Sequence, residues 1–322
     1  MAKAKIITKP ILGLIFGLFL SSLNSPAFSQ DPLDNQNQVF DLSHAREALH
    51  YFEDPSTTNI TNVAFTSPAR KLMQFYNDNN SDGTNEKKST FLSTQYLLSK
   101  TPDTIKLDHV KALLTLIADN KDKQNQCYLN ALAHLPKYTK FRNPLYIVWA
   151  GESLKIEDSI INISNFSMIN ITDKLFETQP QTIWTSCVHA LHHAVMNELN
   201  PIPFSLKNIS LSDELIAYIE QITLFEGSAY YASNPKAVGE IALMDSIDKL
   251  SKLKNSFGRA SRPLTQADLL RFHTLFENSN LARDAGALMA QKIDKTLGRE
   301  PLVHSYSGGP ASFFRTYSSI SK

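Results

Sequence analysis

Of the nine histidines in the chain, three fall within the run Val188-His189-Ala190-Leu191-His192-His193. On a helix turning about 100° per residue, His189 and His193 lie roughly 40° apart on one face. Two imidazoles at that spacing can grip one metal ion, with zinc the expected choice. His192 lies about 60° round from His189 on the other side and is less well placed to share the ion. Two ligands are too few, because a catalytic zinc keeps three protein ligands and one open position. The third ligand must come from another element, and the next strong helical pattern offers Glu214, Glu220 and Glu226. The alternative is a cluster of core or surface histidines hydrogen-bonded to carbonyls, which would leave a metal-free helical binding or scaffold protein.

The helix that carries the histidines is predicted over residues 181–199 and stops at Asn200-Pro201. Ser212 is expected to cap the next one, with Asp213 and Glu214 suiting its positive N-terminus, and that helix runs to about Ala232. Upstream, apolar residues three and four apart predict helices over 43–52, 68–76, 88–98, 107–118 and 124–135. Between 144 and 172 the texture changes, and the β-branched or aromatic runs 145–149 and 159–164 read as strands. After Asn234-Pro235, helices are expected at 236–253, 265–277, 281–297 and 310–319, with Leu302-Val-His-Ser-Tyr-Ser-Gly-Gly309 as a loop. The fold class is therefore predominantly α (α+β): a small strand region, a central histidine-bearing helix and a helical C-terminal half. Residues 30–85 read as a polar N-terminal extension or lid, and residues 86–322 as one α-rich domain.

Lys3, Lys5 and Lys9 precede the apolar run 11–20, and a stretch of small and polar residues follows. That is the layout of a secretory signal peptide over residues 1–29, with cleavage before Gln30. The run is too short to span a bilayer, and no other segment approaches the ~20 apolar residues a span needs. An exported protein, periplasmic or secreted, is expected. In an oxidising compartment Cys127 and Cys187 can pair; the alternative is two separate buried thiols. Basic and acidic side chains number 32 and 31, and losing the three signal-peptide lysines tips the balance slightly negative. Nucleic acid is thereby excluded as a partner, since it calls for a clear basic excess. Two cysteines rule out a four-Cys zinc site, and only 11 glycines argue against Gly-rich phosphate loops.

The run Cys187-Val-His-Ala-Leu-His-His-Ala-Val-Met196, followed by Leu224-Phe-Glu-Gly-Ser-Ala-Tyr-Tyr-Ala232, resembles the paired active-site helices of gluzincin-type zinc metallopeptidases. The likeness is to families with an H-E-x-x-H helix and a downstream E-G-x-A-x-Y helix. It extends to Gly286-Ala-Leu-Met-Ala290, Leu297-Gly298, Gly309-Pro310, Phe313, Phe314 and Tyr317, and covers roughly residues 140–320. The resemblance implies a zincin-like fold, zinc held by His189, His193 and Glu226, and a peptide or protein as substrate or ligand. One departure is serious. The family's general-base glutamate falls at Ala190, and a methyl group cannot take a proton from water. Loss of a positioned acid–base group costs about 10²–10⁴-fold in rate. Substitute bases are sought in Glu220 and His192, and groups to polarise an oxyanion in His304 and Tyr306. The expected function is an exported zinc-metallopeptidase-like protein that performs metal-assisted peptide hydrolysis if active. The alternative is a zinc-binding pseudopeptidase, in which Ala190→Glu would confer activity.

Two other patterns fail on their own chemistry. Asp78-x-Asn80-x-Asp82-Gly83 opens like a calcium loop, but position twelve is Ser89 in place of a bidentate glutamate. Cys187 and His189, two apart on a helix, point about 200° from each other and cannot act as nucleophile and base.

Overall fold

The computed structural model describes residues 39–79, 90–99, 101, 105–151, 160–163, 166–201, 209–236, 245–258, 260–277 and 279–321. The expected signal peptide, 1–29, and positions 80–89 of the calcium-like pattern lie outside the described residues. Four short strands, β1 (Phe40–Asp41), β2 (Leu145–Val148), β3 (Ile160–Ile163) and β4 (Phe166–Asn170), form one sheet in the order β1-β2-β4-β3. β1 and β4 flank β2 in parallel, with Phe40 opposite Leu145 and Ile147 opposite Ile169; β3 runs antiparallel to β4. All four residues of β2 are buried, as a parallel strand covered on both faces requires. The end of β4 is pinned by Asn170, whose Oδ1 accepts from the Ala150 amide (3.0 Å) and the Thr172 hydroxyl (2.8 Å).

The remaining described elements are helical, so the protein is predominantly α with a small mixed sheet. Helices α1 (Ser43–Glu53), α2 (Thr57–Phe65), α3 (Ser67–Asn79), α4 (Thr90–Ser99), α5 (Leu107–Asp119) and α6 (Lys121–Leu132) precede β2. Of the expected N-terminal extension or lid, 30–85, the described residues 39–79 carry β1 and α1 to α3 and belong to the same compact unit as the helices that follow. Ala45, Ala48 and Leu49 of α1 and Ile60 and Val63 of α2 recur at helical spacing and are buried in one apolar cluster with Leu145, Ile147 and Leu191. β1 supplies Phe40 to that cluster and an edge to the sheet.

After a short helix, α7 (Lys174–Thr178), the long α8 (Ile183–Leu199) crosses the sheet and packs on α6 and on α9 (Ser212–Ser233). A second apolar cluster joins α9 to α10 (Ser246–Ser256), α11 (Gln266–Phe272), α12 (Leu281–Leu297), α13 (Arg299–Ser307) and α14 (Gly309–Ile320). A π-helical turn, His273–Glu277, continues α11. Ser212 is the first residue of α9 and not its cap: its hydroxyl accepts from the Arg262 amide. Glu214 does the capping, with Oε2 accepting from the Ser210 and Leu211 amides at 3.0 Å each. The expected loop 302–309 is also corrected. Residues 299–307 are helical because Leu302 and Tyr306, one turn apart, are wholly buried in the second cluster. Cys127 of α6 and Cys187 of α8 form a disulfide, their Cα atoms 6.1 Å apart.

Candidate metal centre

α8 is buried along most of its length, so each of its faces meets a different neighbour. Val188, Ala190, Leu191 and Val195 pack into the first apolar cluster together with the disulfide. His189 and His193 meet α9. Their Nε2 atoms lie 2.8 Å apart, and Oε2 of Glu226 stands 3.4 Å from the first and 3.3 Å from the second. The three ligand atoms lie within 4.8 Å of one another and form a group that could hold a metal ion. The histidine side chains are 7% and 1% exposed and that of Glu226 is 22%, so the group opens to solvent on the glutamate side.

Two neighbours in the sequence of α9 hold Glu226 and its partners in register. Phe225 stacks on the His193 ring with centroids 4.1 Å apart and planes 30° from parallel. Gly227 has no side chain at the point where α12 crosses most closely, which fixes α9 one residue from the carboxylate. Burial alone would push the Glu226 carboxyl up. The adjoining His193 and His189 rings outweigh it through charge and hydrogen bonding and hold the group well below the usual carboxylate range. The donor set is therefore two imidazole nitrogens and one anionic oxygen.

That set fits a tetrahedral ion. Bonds of about 2.0–2.1 Å put neighbouring ligand atoms about 3.3 Å apart. Both carboxylate–imidazole spacings already have that value. The two imidazole nitrogens need to part by roughly half an ångström, within the reach of small side-chain rotations.

The residues sought as substitutes for the missing base lie elsewhere. Ala190 has no exposed surface and belongs to the apolar cluster, so its position faces packed side chains. Glu220, six residues before Glu226 and about 120° round α9, is held in an ion pair with Lys254 of α10. His192 is fully buried on an adjoining flank of α8, its ring edge-on to Tyr306 at 5.8 Å. Burial, and next the proximity of His193, lower its pKa well below the ordinary value. Tyr306 is equally buried, and burial raises its pKa well above the phenol range. His304 is exposed on α13. The structure thus brings together His189, His193 and Glu226, and leaves Glu220, His192, His304 and Tyr306 in other settings.

Sequence reasoning missed two contributors. Phe225 was legible only as the residue before a glutamate, and nothing local says that its ring lies on His193. His134, at the turn after α6, stands in no motif, yet it sits beside His192 and carries a buried ring nitrogen without a partner. Compared with protein-family models, curated proteins and solved structures, the chain matches none.

Proposed function

We propose that this is an exported zinc-binding protein with the two-helix metal site of a metallopeptidase and without its general base, a pseudopeptidase that uses the site to bind a peptide or protein ligand. The observation that carries the reading is the convergence of His189, His193 and Glu226, from two helices, on one point open to solvent. A zinc ion held there would supply Lewis acidity toward a carbonyl oxygen at an open fourth position. The chain's own residues do the rest: Glu226 contributes the negative charge, Phe225 orients the His193 ring, and the buried α8 keeps both imidazoles from turning away.

The pseudopeptidase reading is favoured over peptide hydrolysis by the place of Ala190. It lies in the apolar core beside Cys187 and offers no group that can take a proton from water. Export is supported by the charged and apolar pattern of residues 1–29 and by the disulfide, which belongs in an oxidising compartment.

The test is the metal content of the chain from Gln30 onward, purified without chelator or polyhistidine tag, beside a His189→Ala/His193→Ala control. About one zinc per chain is expected, absent from the control, with no chelator-sensitive hydrolysis of a mixed peptide library. A chain that takes up no zinc in excess metal would be a metal-free scaffold. Hydrolysis that chelator and Glu226→Gln both abolish would make it an active peptidase.

A further inference from the structure

Beside the metal-binding face, α8 carries a second polar centre that supplies no ligand to the triad. Three side chains there are each more than nine-tenths buried: the His192 ring of α8 lies 5.8 Å from that of Tyr306 of α13, and His134, at the turn after α6, is close enough to His192 to act on its charge. Four of their polar atoms have no hydrogen-bond partner: both ring nitrogens of His192, Nε2 of His134 and Oη of Tyr306. Native interiors leave such atoms bare very rarely, because stripping them of water costs more than an ordinary hydrogen bond returns.

The donors and acceptors can be assigned. Nδ1 of His134 lies 3.1 Å from the Asn130 carbonyl oxygen. A carbonyl only accepts, so Nδ1 carries the hydrogen and Nε2 presents a lone pair. His192 offers a donor on one nitrogen and an acceptor on the other. The nearby His134 carbonyl favours the N–H on the side facing it, although the contact falls short of a hydrogen bond. That leaves two imidazole acceptors and the Tyr306 hydroxyl as a donor. The direct contact between His192 and Tyr306 is an edge-on ring packing, with planes 85° apart.

We propose that His134, His192 and Tyr306 bind one internal water molecule, which donates to Nε2 of His134 and to the acceptor nitrogen of His192 and accepts from the Tyr306 hydroxyl. Three bonds are the usual complement of a buried water, and two acceptors with one donor match its valence. The carboxylate that acts on His134 and Tyr306, Asp294, is already bonded by Arg299 and the Tyr231 hydroxyl, and none of the three groups is exposed, which suits a water better than a cation. The bridge ties α8 to α13 and to the end of α6 and fixes the rotation of α8 about its axis. His192 and Tyr306 are then positioning residues for His189 and His193. Only this last consequence rests on the proposed zinc site; the water does not.

A crystal structure of the chain from Gln30 onward decides the point. The expected result is one solvent peak within about 2.6–3.2 Å of all three groups. A dry gap, a direct His192–Tyr306 hydrogen bond or a metal ion at that point would overturn the proposal. For the positioning role, Tyr306→Phe removes the donor alone and is expected to weaken zinc binding about tenfold, with helix content unchanged. If that variant does not fold, His134→Leu removes an acceptor from the opposite side and is expected to do the same. Zinc affinity that stays at the wild-type value in the folded variant would refute the positioning role. A chain that binds no zinc but shows the peak would sink the metal reading and leave the water in place.

Discussion

Gly227 of α9 and Gly286 of α12 meet backbone to backbone. A Cβ on Gly227 would stand 2.3 Å from the Gly286 Cα, and one on Gly286 would stand 2.0 Å from the Thr223 carbonyl oxygen. Neither obstacle is a flexible side-chain end, so neither can swing aside. Ala282, Ala285 and Ala290 continue the small buried face of α12, and the two helices approach as closely as their backbones allow. Glu226 immediately precedes the crossing, so the same contact that builds the core sets the height and rotation of the third candidate metal ligand.

Gly227→Ala is therefore expected to cost stability at or above the ~1–3 kcal/mol typical of overpacked cores. It should also weaken zinc binding, because α9 must shift to admit the methyl group. Urea unfolding and a zinc titration on the same preparation check both effects. An unchanged unfolding midpoint would show that the helices can part at no cost.

The burial of position 190 reverses the expectation that Ala190→Glu confers activity, and the substitution separates this site from a peptidase whose base has merely been deleted. The position is fully buried in the apolar cluster beside Cys187 and Leu191. An unpaired carboxylate there costs several kcal/mol or stays protonated. The expected outcome is a protein destabilised by about 3–5 kcal/mol and still inactive on peptides. Chelator-sensitive hydrolysis gained by this substitution would mean that position 190 faces the metal after all.

The histidine pair was legible in the sequence because i, i+4 spacing is a local property of any helix. Glu226 was reached only through the neighbouring Gly-x-Ala-x-Tyr residues. The burial of Ala190 could not be seen, since α8 is buried along most of its length and its pattern does not distinguish a core face from a cleft face. Distant packing also explains the misread segments. In Thr57-Thr-Asn-Ile-Thr-Asn-Val-Ala-Phe65 the polar residues mask the buried stripe Ile60, Val63 and Ala64. The serines and glycines around Tyr306 suggest a loop, yet burial of Leu302 and Tyr306 makes it a helix. β4 was not singled out because Ser167 and Asn170 interrupt its apolar residues, and Asn170 turns out to hold the strand end.

The Cys127–Cys187 bond joins residues 60 apart and anchors α8 two residues before His189. Closing a loop of that length in the unfolded chain is worth about 4 kcal/mol in the chain-entropy account. Cys127→Ala/Cys187→Ala is expected to lose about that much in chemical unfolding. The proposed zinc site should survive in the folded fraction, because α8 remains packed on the sheet and on α9. Loss of zinc stoichiometry with the fold intact would instead make the bond part of the metal site.

Acid should weaken the fold before its carboxylates titrate, through two histidines remote from the ligand set. Burial lowers the pKa of His44 from 6.5 to about 4 against the opposing pull of Asp41; burial and then Arg299 lower that of His134 to about 4. Both rings are neutral in the native state at pH 5, while the unfolded chain binds protons at both. Their contribution is thus complete above pH 6.5 and is lost as the pH falls toward 4, with an upper bound on the order of 3 kcal/mol for each. Nδ1 of His44 accepts the Trp149 amide at 3.1 Å, so protonating that nitrogen also breaks the bond that ties α1 to the end of β2. His44→Asn places a carbonyl oxygen near the same point and cannot titrate. Unfolding midpoints measured with chelator present, from pH 7.5 to 4.5, should fall steeply for the wild type and less steeply for His44→Asn. Parallel curves for the two proteins would exclude His44 as a source of the acid sensitivity.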